Sequence, residues 1–187
     1  MKISTRLFIV ATSLLLSGCS QNLGSYGLET VGITSDVPIP AKTAAHYGRF
    51  VEVILSSNTS LTAISEELDA VYVGADFCPL RDPNGVITFG PFDDTGHDLS
   101  LPSAAPAMQP DSDGKFHYRI YLPIAYRAKQ ATQPGQIQLP TYDLRDTESD
   151  LCLQLFAPGY NIIQSRSNII RVPASVISEA QRRATSP

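Results

Sequence analysis

The sequence predicts a mainly β protein, an antiparallel β-sandwich of about seven strands with one or two short helices. Three observations carry that expectation. Apolar residues recur in short runs with a period of two, the mark of strands buried on one face. Fourteen prolines and twelve glycines break the chain into many short elements. Cys78 and Cys152 stand far apart in the sequence, as a staple across a sheet-built body would require.

The elements follow in order. Phe50-Val51-Glu52-Val53-Ile54-Leu55 reads as a strand. Thr59 to Leu68 reads as a short helix, with Thr59 as its cap and Leu61, Ile64 and Leu68 on one face. Asp69 to Phe77 places Val71, Val73, Ala75 and Phe77 on one side of a strand. Arg81-Asp82-Pro83-Asn84-Gly85 supplies a turn, and Val86 to Phe89 is expected to return as the paired strand of a hairpin spanning 69–92. Phe116, Tyr118, Ile120 and Leu122 alternate with His117, Arg119 and Tyr121, the clearest half-buried strand in the chain. Ile137 to Leu139, Leu151 to Phe156 and Ile169 to Val172 complete the set. Ser175 to Ala184 suits a closing helix, with Arg182 and Arg183 near its negative end.

At Cys152 the immunoglobulin family offers a comparison. Its usual tyrosine two residues before the second cysteine is Asp150 here, and no tryptophan is present for the core. These departures disfavour a true immunoglobulin domain and leave an immunoglobulin-like or transthyretin-like sandwich.

The first nineteen residues read as an address. Lys2 and Arg6 precede an apolar run from Leu7 to Leu16, followed by Ser17-Gly18-Cys19. A run of about ten residues spans ~15 Å as a helix, half of a bilayer core of ~30 Å, so it is too short for a permanent span. Leu16-Ser17-Gly18-Cys19 resembles the lipobox of bacterial lipoproteins. The resemblance covers only this leader. It implies a diacylglyceryl thioether on Cys19, cleavage before that residue and acylation of the new amino terminus. Ser20, in place of an aspartate, implies the outer membrane, facing the periplasm. The expected organisation is a signal peptide at 1–18, lipidated Cys19 with a flexible tether to residue 45, and a sandwich domain at 46–187. A flexible tether of ~25 residues reaches about 25–30 Å. Two or three acyl chains give durable anchoring without a spanning helix.

With Cys19 acylated, Cys78 and Cys152 remain, and an even remainder in an exported chain points to a disulfide. Closing a loop of roughly 75 residues contributes about 4.5 kcal/mol in the chain-entropy account. Loss of the leader removes two basic residues and leaves 12 against 18 acids, a net charge of −6. A sequence pI near 5.3 argues against a nucleic-acid partner, which requires a basic face.

Two constellations merit chemical scrutiny. Asp93-Asp94-Thr95-Gly96-His97-Asp98 gathers three carboxylates and an imidazole, but it matches no metal-ligand template and reads as a loop. Asp111-Ser112-Asp113-Gly114 likewise reads as a turn, and His117 as an exposed sheet residue. No metal and no cofactor is expected. The stretch from Lys115 to Lys129 carries Lys115, Arg119, Arg127 and Lys129 with no acid, and Tyr121 and Tyr126 lie among them. Arg119, Tyr121, Tyr126 and Arg127 are the expected partner-binding residues, since tyrosine and arginine are favoured at interfaces.

No nucleophile elbow, zinc helix or phosphate loop is present. The expected function is non-catalytic: a lipid-anchored sandwich that docks a periplasmic or outer-membrane protein. The lipoprotein of the type VI secretion machine is similar in this general plan. The alternative is a lipoprotein that binds a glycan, a peptidoglycan fragment or a metal. A hydrolase using His97 or His117 ranks last.

Overall fold

The structure, a computed structural model, describes residues 22–101, 108–127, 141–145, 147–157 and 165–185. The leader with Cys19, the strand expected at 137–139 and Lys129 lie outside the described residues. The elements run β1 (Gly27–Thr34), α1 (Ala41–Tyr47), β2 (Phe50–Ser57), α2 (Leu61–Leu68), β3 (Tyr72–Phe77), β4 (Phe89–Phe92) and β5 (Phe116–Pro123). Then come β6 (Ala125–Tyr126), β7 (Tyr142–Asp143), β8 (Leu151–Ala157), β9 (Ser165–Arg166), β10 (Ile170–Val172) and α3 (Ala174–Thr185).

The fold is mainly β, and every strand pair is antiparallel. One sheet has the order β1-β2-β5-β4 and the other β10-β8-β3, while β9 extends β8 and β6-β7 forms a separate ribbon. Counting only the seven sandwich strands, the first sheet carries the first, second, fifth and fourth, and the second sheet the seventh, sixth and third. That is the strand order of an immunoglobulin-type sandwich of the seven-stranded kind. The three further strands and a third helix exceed the number expected from sequence.

Inward residues of both sheets meet in one core. Val51, Val53 and Leu55 of β2 and Tyr118, Ile120 and Leu122 of β5 pack with Val73, Ala75, Leu151, Leu153, Leu155 and Val172. The alternation read along β5 is therefore correct for its inner face. Tyr118 is fully buried. Its hydroxyl accepts from the Leu61 N–H at 2.7 Å and donates to the Thr59 carbonyl at 3.1 Å, so it pins the start of α2 to the sheet. Burial pushes the phenol up to about 12, and it stays a neutral donor. The cap of α2 is Ser60, not Thr59: its Oγ accepts from the Ala63 N–H. The C-terminal helix forms as expected, seated by Ile177 and Ala180, with the Asp150 carboxylate accepting from the Ala174 N–H at its start.

Two expectations fail. The hairpin at 69–92 does not form, because β3 pairs with β8 in one sheet and β4 with β5 in the other. The turn between them does form. The Asp76 carboxylate accepts from the N–H groups of Phe77, Arg81 and Asp82 and coils the chain back. Gly85 then passes so close that a Cβ there would stand 2.3 Å from Asp76 Oδ1. The returning segment makes backbone hydrogen bonds to β3 at Ala75, which bonds to Pro83 and Val86, and a side-chain bond from the Thr88 hydroxyl to the Val73 carbonyl before it crosses to the other sheet. The turn chemistry was legible; the change of sheet is decided by burial of Val86 between the layers.

The tether expected up to residue 45 is also corrected for its described part. Residues 27–34 are an edge strand paired along β2, and 41–47 are helix. The segment looks polar and proline-rich, but Val31 is buried in the main core, and Leu23 and Tyr26 beside it are too. The Tyr26 N–H donates to Asn168 Oδ1 at 2.8 Å, a contact between segments 142 residues apart.

Cys78, at the end of β3, is bonded to Cys152 of β8. The bridge lies within one sheet, unlike the inter-sheet bridge of antibody domains. Among the described residues no helix is long and apolar enough to cross a membrane.

Replacing both Cys78 and Cys152 by serine is expected to lower stability by roughly 2–4 kcal/mol. Tyr118→Phe, which strips the partner from the Leu61 N–H, is expected to cost roughly 1–3 kcal/mol with the fold retained. Urea unfolding followed by circular dichroism measures both.

Candidate functional site

The outer face of the first sheet carries the candidate site. β2 and β5 pair so that Glu52 stands opposite Tyr121 and Ile54 opposite Arg119. β4 adds Phe92 opposite Arg119. The loop after β4 and the segment after β1 close over this row. Together they form an open polar cleft of about 330 Å³, walled by Asp36, Pro38, Glu52, Phe92, the 93–96 loop, Arg119 and Tyr121.

Four acidic residues, Asp36, Glu52, Asp93 and Asp94, line this cleft together with one arginine, Arg119. Arg119 Nη2 lies 4.0 Å from Asp94 Oδ1, with both side chains more than one-third exposed. Such a pair is weak in water. The Tyr121 hydroxyl donates to Glu52 Oε1 at 3.1 Å, and burial, followed by the Glu52 charge, pushes the phenol up to about 12.

Asp93 organises the loop. Its Oδ1 accepts from the Thr95 N–H, the Thr95 hydroxyl and the His97 N–H, at 2.9, 2.7 and 2.9 Å. Gly96 turns with φ +83°, a conformation costly for a side-chain-bearing residue. The residue is fully buried, yet its second oxygen, Oδ2, has no hydrogen-bond partner. Asp98 is spent on the Ser100 N–H and hydroxyl. Among the described residues no group of three histidine, cysteine or acidic side chains converges to hold a metal.

The four expected partner-binding residues do not form one exposed stripe. Tyr121 is buried, 3% exposed, in a second apolar cluster with Phe50 and Phe92. Val37, Ile39 and Tyr47 cover that cluster, and these are residues of the segment read as a tether. Arg119 remains half-exposed at the cleft. Tyr126 leaves β5 and joins an aromatic group with Tyr47 and Tyr142, ring centroids 5.8 and 6.5 Å away. Arg127 is exposed beyond β6. Nearby acids are engaged by other bases: Asp143 chiefly by Arg145, with Arg127 contributing less, and Asp150 by Arg171.

His117 is more constrained than expected. Its Nδ1 lies 2.6 Å from Glu29 Oε2 and its Nε2 2.7 Å from Asp111 Oδ2. Glu29 sits at a bulge in β1, and its carboxylate reaches over Ser56 of β2, which pairs with His117. Asp111 closes its own turn on the Asp113 and Lys115 N–H groups, as read from sequence, and adds the imidazole. With both ring nitrogens held by carboxylates, the ring has no site left to take a proton from a nucleophile.

No family model, curated protein or solved structure matches this chain.

The hydrogen bond to Asp111 holds the His117 imidazolium above its usual range, with Glu29 contributing. The same bond holds the Asp111 carboxyl down to about 2. The histidine contribution is full below its unfolded pKa near 6.5 and fades as pH rises through the folded value. The aspartate contribution is full above about 3.8 and fades as pH falls through about 2. Stability is therefore expected to decline in the wild type as pH rises above about 6.5, and His117→Gln to flatten that slope. Chemical denaturation across pH measures it, and an unchanged slope in His117→Gln would contradict the assignment.

Proposed function

We propose that this chain is a lipid-anchored envelope lipoprotein whose disulfide-closed β-sandwich is a non-catalytic binding module for a periplasmic or outer-membrane protein. The partition of its three cysteines supports this reading. Cys78 and Cys152 are consumed in one bridge, and the thiol left over is Cys19, placed after Leu16-Ser17-Gly18 at the end of a charged and apolar leader. A disulfide fits an oxidising compartment, and the leader pattern fits export to it. Acyl chains would hold a net-acidic body at an anionic membrane that repels it.

The basic residues left exposed for docking are Arg119 at the mouth of the cleft and Arg127 next to Tyr126 in the chain. The cleft next to Arg119 favours a second reading, that the module also receives a small ligand.

Intact mass spectrometry of the membrane-extracted protein tests the anchor. A chain beginning at Cys19 with a diacylglyceryl group and an added acyl chain is expected, and Cys19→Ala should move the protein out of the membrane fraction. A free Cys19 thiol, or a wild type that already fractionates as soluble, would sink the anchor. For docking, a photo-crosslinker at position 126 is expected to trap one reproducible envelope protein. Arg119→Glu combined with Arg127→Glu should abolish that adduct while leaving the thermal unfolding transition in place. An adduct indifferent to charge reversal would contradict the assigned surface.

A further inference from the structure

The cleft between the 34–38 segment, the 93–96 loop and the outer face of β2 and β5 is acidic to a degree its own arginine does not offset. Asp36, Glu52, Asp93 and Asp94 line it together with Arg119. Arg119 lies at the edge of ion-pair distance from Asp94, and among the described residues no nearer carboxylate partner is recorded for it. One oxygen of Glu52 holds the Tyr121 hydroxyl and the other is not so engaged.

Asp93 supplies an independent observation. It is fully buried in the wall of this cleft, three donors crowd one carboxylate oxygen, and the other oxygen has none. Leaving a buried acceptor of this kind unpaired costs about 1–3 kcal/mol, and more for a charged group. A carboxylate held with one oxygen unneutralised adds negative potential to the cleft, and low-dielectric walls strengthen its field.

We infer that this cleft is a binding site for a primary ammonium group on a short alkyl stem. The chemistry of the walls selects that class. An ammonium carries three donors on one centre, and one or two carboxylates suffice to hold it while its remaining donors stay with water. A divalent cation needs its ligands converged at about 2.0–2.6 Å, and no such convergence of three donors is present among the described residues. The exposed Pro38 ring offers a small apolar surface for the methylenes, while the Phe92 and Tyr121 rings beside it are almost wholly buried. A volume of about 330 Å³ is at the small end of ligand pockets, so the stem is short. This inference rests on the cleft alone and stands whether or not Cys19 is acylated.

A free diamine and the side chain of a protein lysine share this chemistry. The test uses cadaverine for the first and Nα-acetyl-lysine N-methylamide for the second, titrated into the folded protein at low salt and followed by ¹⁵N–¹H correlation spectra. Saturable shifts confined to 34–38, 52, 93–97 and 119–121 are expected, with a Kd of about 1 mM or tighter, the range of a small charged ligand. Binding should weaken as salt is raised. A preference for cadaverine assigns the site to free amines, and a preference for the blocked lysine assigns it to a peptide. The Nε-acetylated lysine analogue should bind at least tenfold more weakly. Asp93→Asn is expected to weaken binding most. Because it touches the loop, Asp36→Asn and Asp94→Asn on the exposed rim serve as second variants, each expected to cost about two- to fivefold. The inference is overturned by absence of saturable shifts for both amines at concentrations on the order of 10 mM, ten times the expected Kd. Equal binding of the acetylated analogue, or undiminished binding in the rim double variant, would overturn it equally.

Discussion

β2 is buried along its inner face and, at Phe50, on its outer face as well, and much of the molecule follows from that. Val51, Val53 and Leu55 point into the sandwich, while Phe50 points the other way and is equally buried. One side is met by the second sheet. The other is met by Val37, Ile39 and Tyr47, which the chain folds over the outer face before β2 begins. Each buried aromatic or aliphatic side chain contributes roughly 1.5–3 kcal/mol, so the covering segment is held by the same force that builds the main core.

That covering segment also makes the cleft. Once residues 34–38 lie across the first sheet, Asp36 and Pro38 stand opposite the 93–96 loop and Arg119. Tyr121 is drawn under cover and becomes a hydrogen-bond donor to Glu52 rather than a contact surface. The polar face of β5 is thus split into three environments: His117 clamped between carboxylates, Arg119 at the mouth of a cleft, and Tyr121 in a small apolar cluster. Asp93 shows the tension in this arrangement. It stabilises a tight loop with one oxygen and leaves the other without a partner in a buried position. Buried polar groups left in that state tend to mark sites with work beyond folding.

The long-range ties explain why a chain with many short elements holds together. The disulfide fastens the end of β3 to β8, the Tyr118 hydroxyl fastens α2 to the sheet, and Asn168 fastens the entry of β1 at Tyr26 from 142 positions further along the chain. Each closes a large loop whose entropy local structure could not offset.

Local chemistry determined much of this protein from its sequence. The period-two runs fixed β2, β5 and β8 as strands, the apolar spacing fixed α2, and the aspartate- and glycine-rich stretches fixed their turns. Those features depend on neighbours a few residues away. The cysteine pair was legible because the number of cysteines left after Cys19 is even. The tertiary structure alone decided which strand lies beside which. The Asp82-Pro83-Asn84-Gly85 turn looks the same whether the chain returns to its own sheet or crosses to the other, and only the burial of Val86 settles it. It decided as well that a polar, proline-rich stretch would become an edge strand and a lid. Burial is a property of the whole packed assembly, and no window of sequence states what will cover Tyr121 or which carboxylates will reach His117.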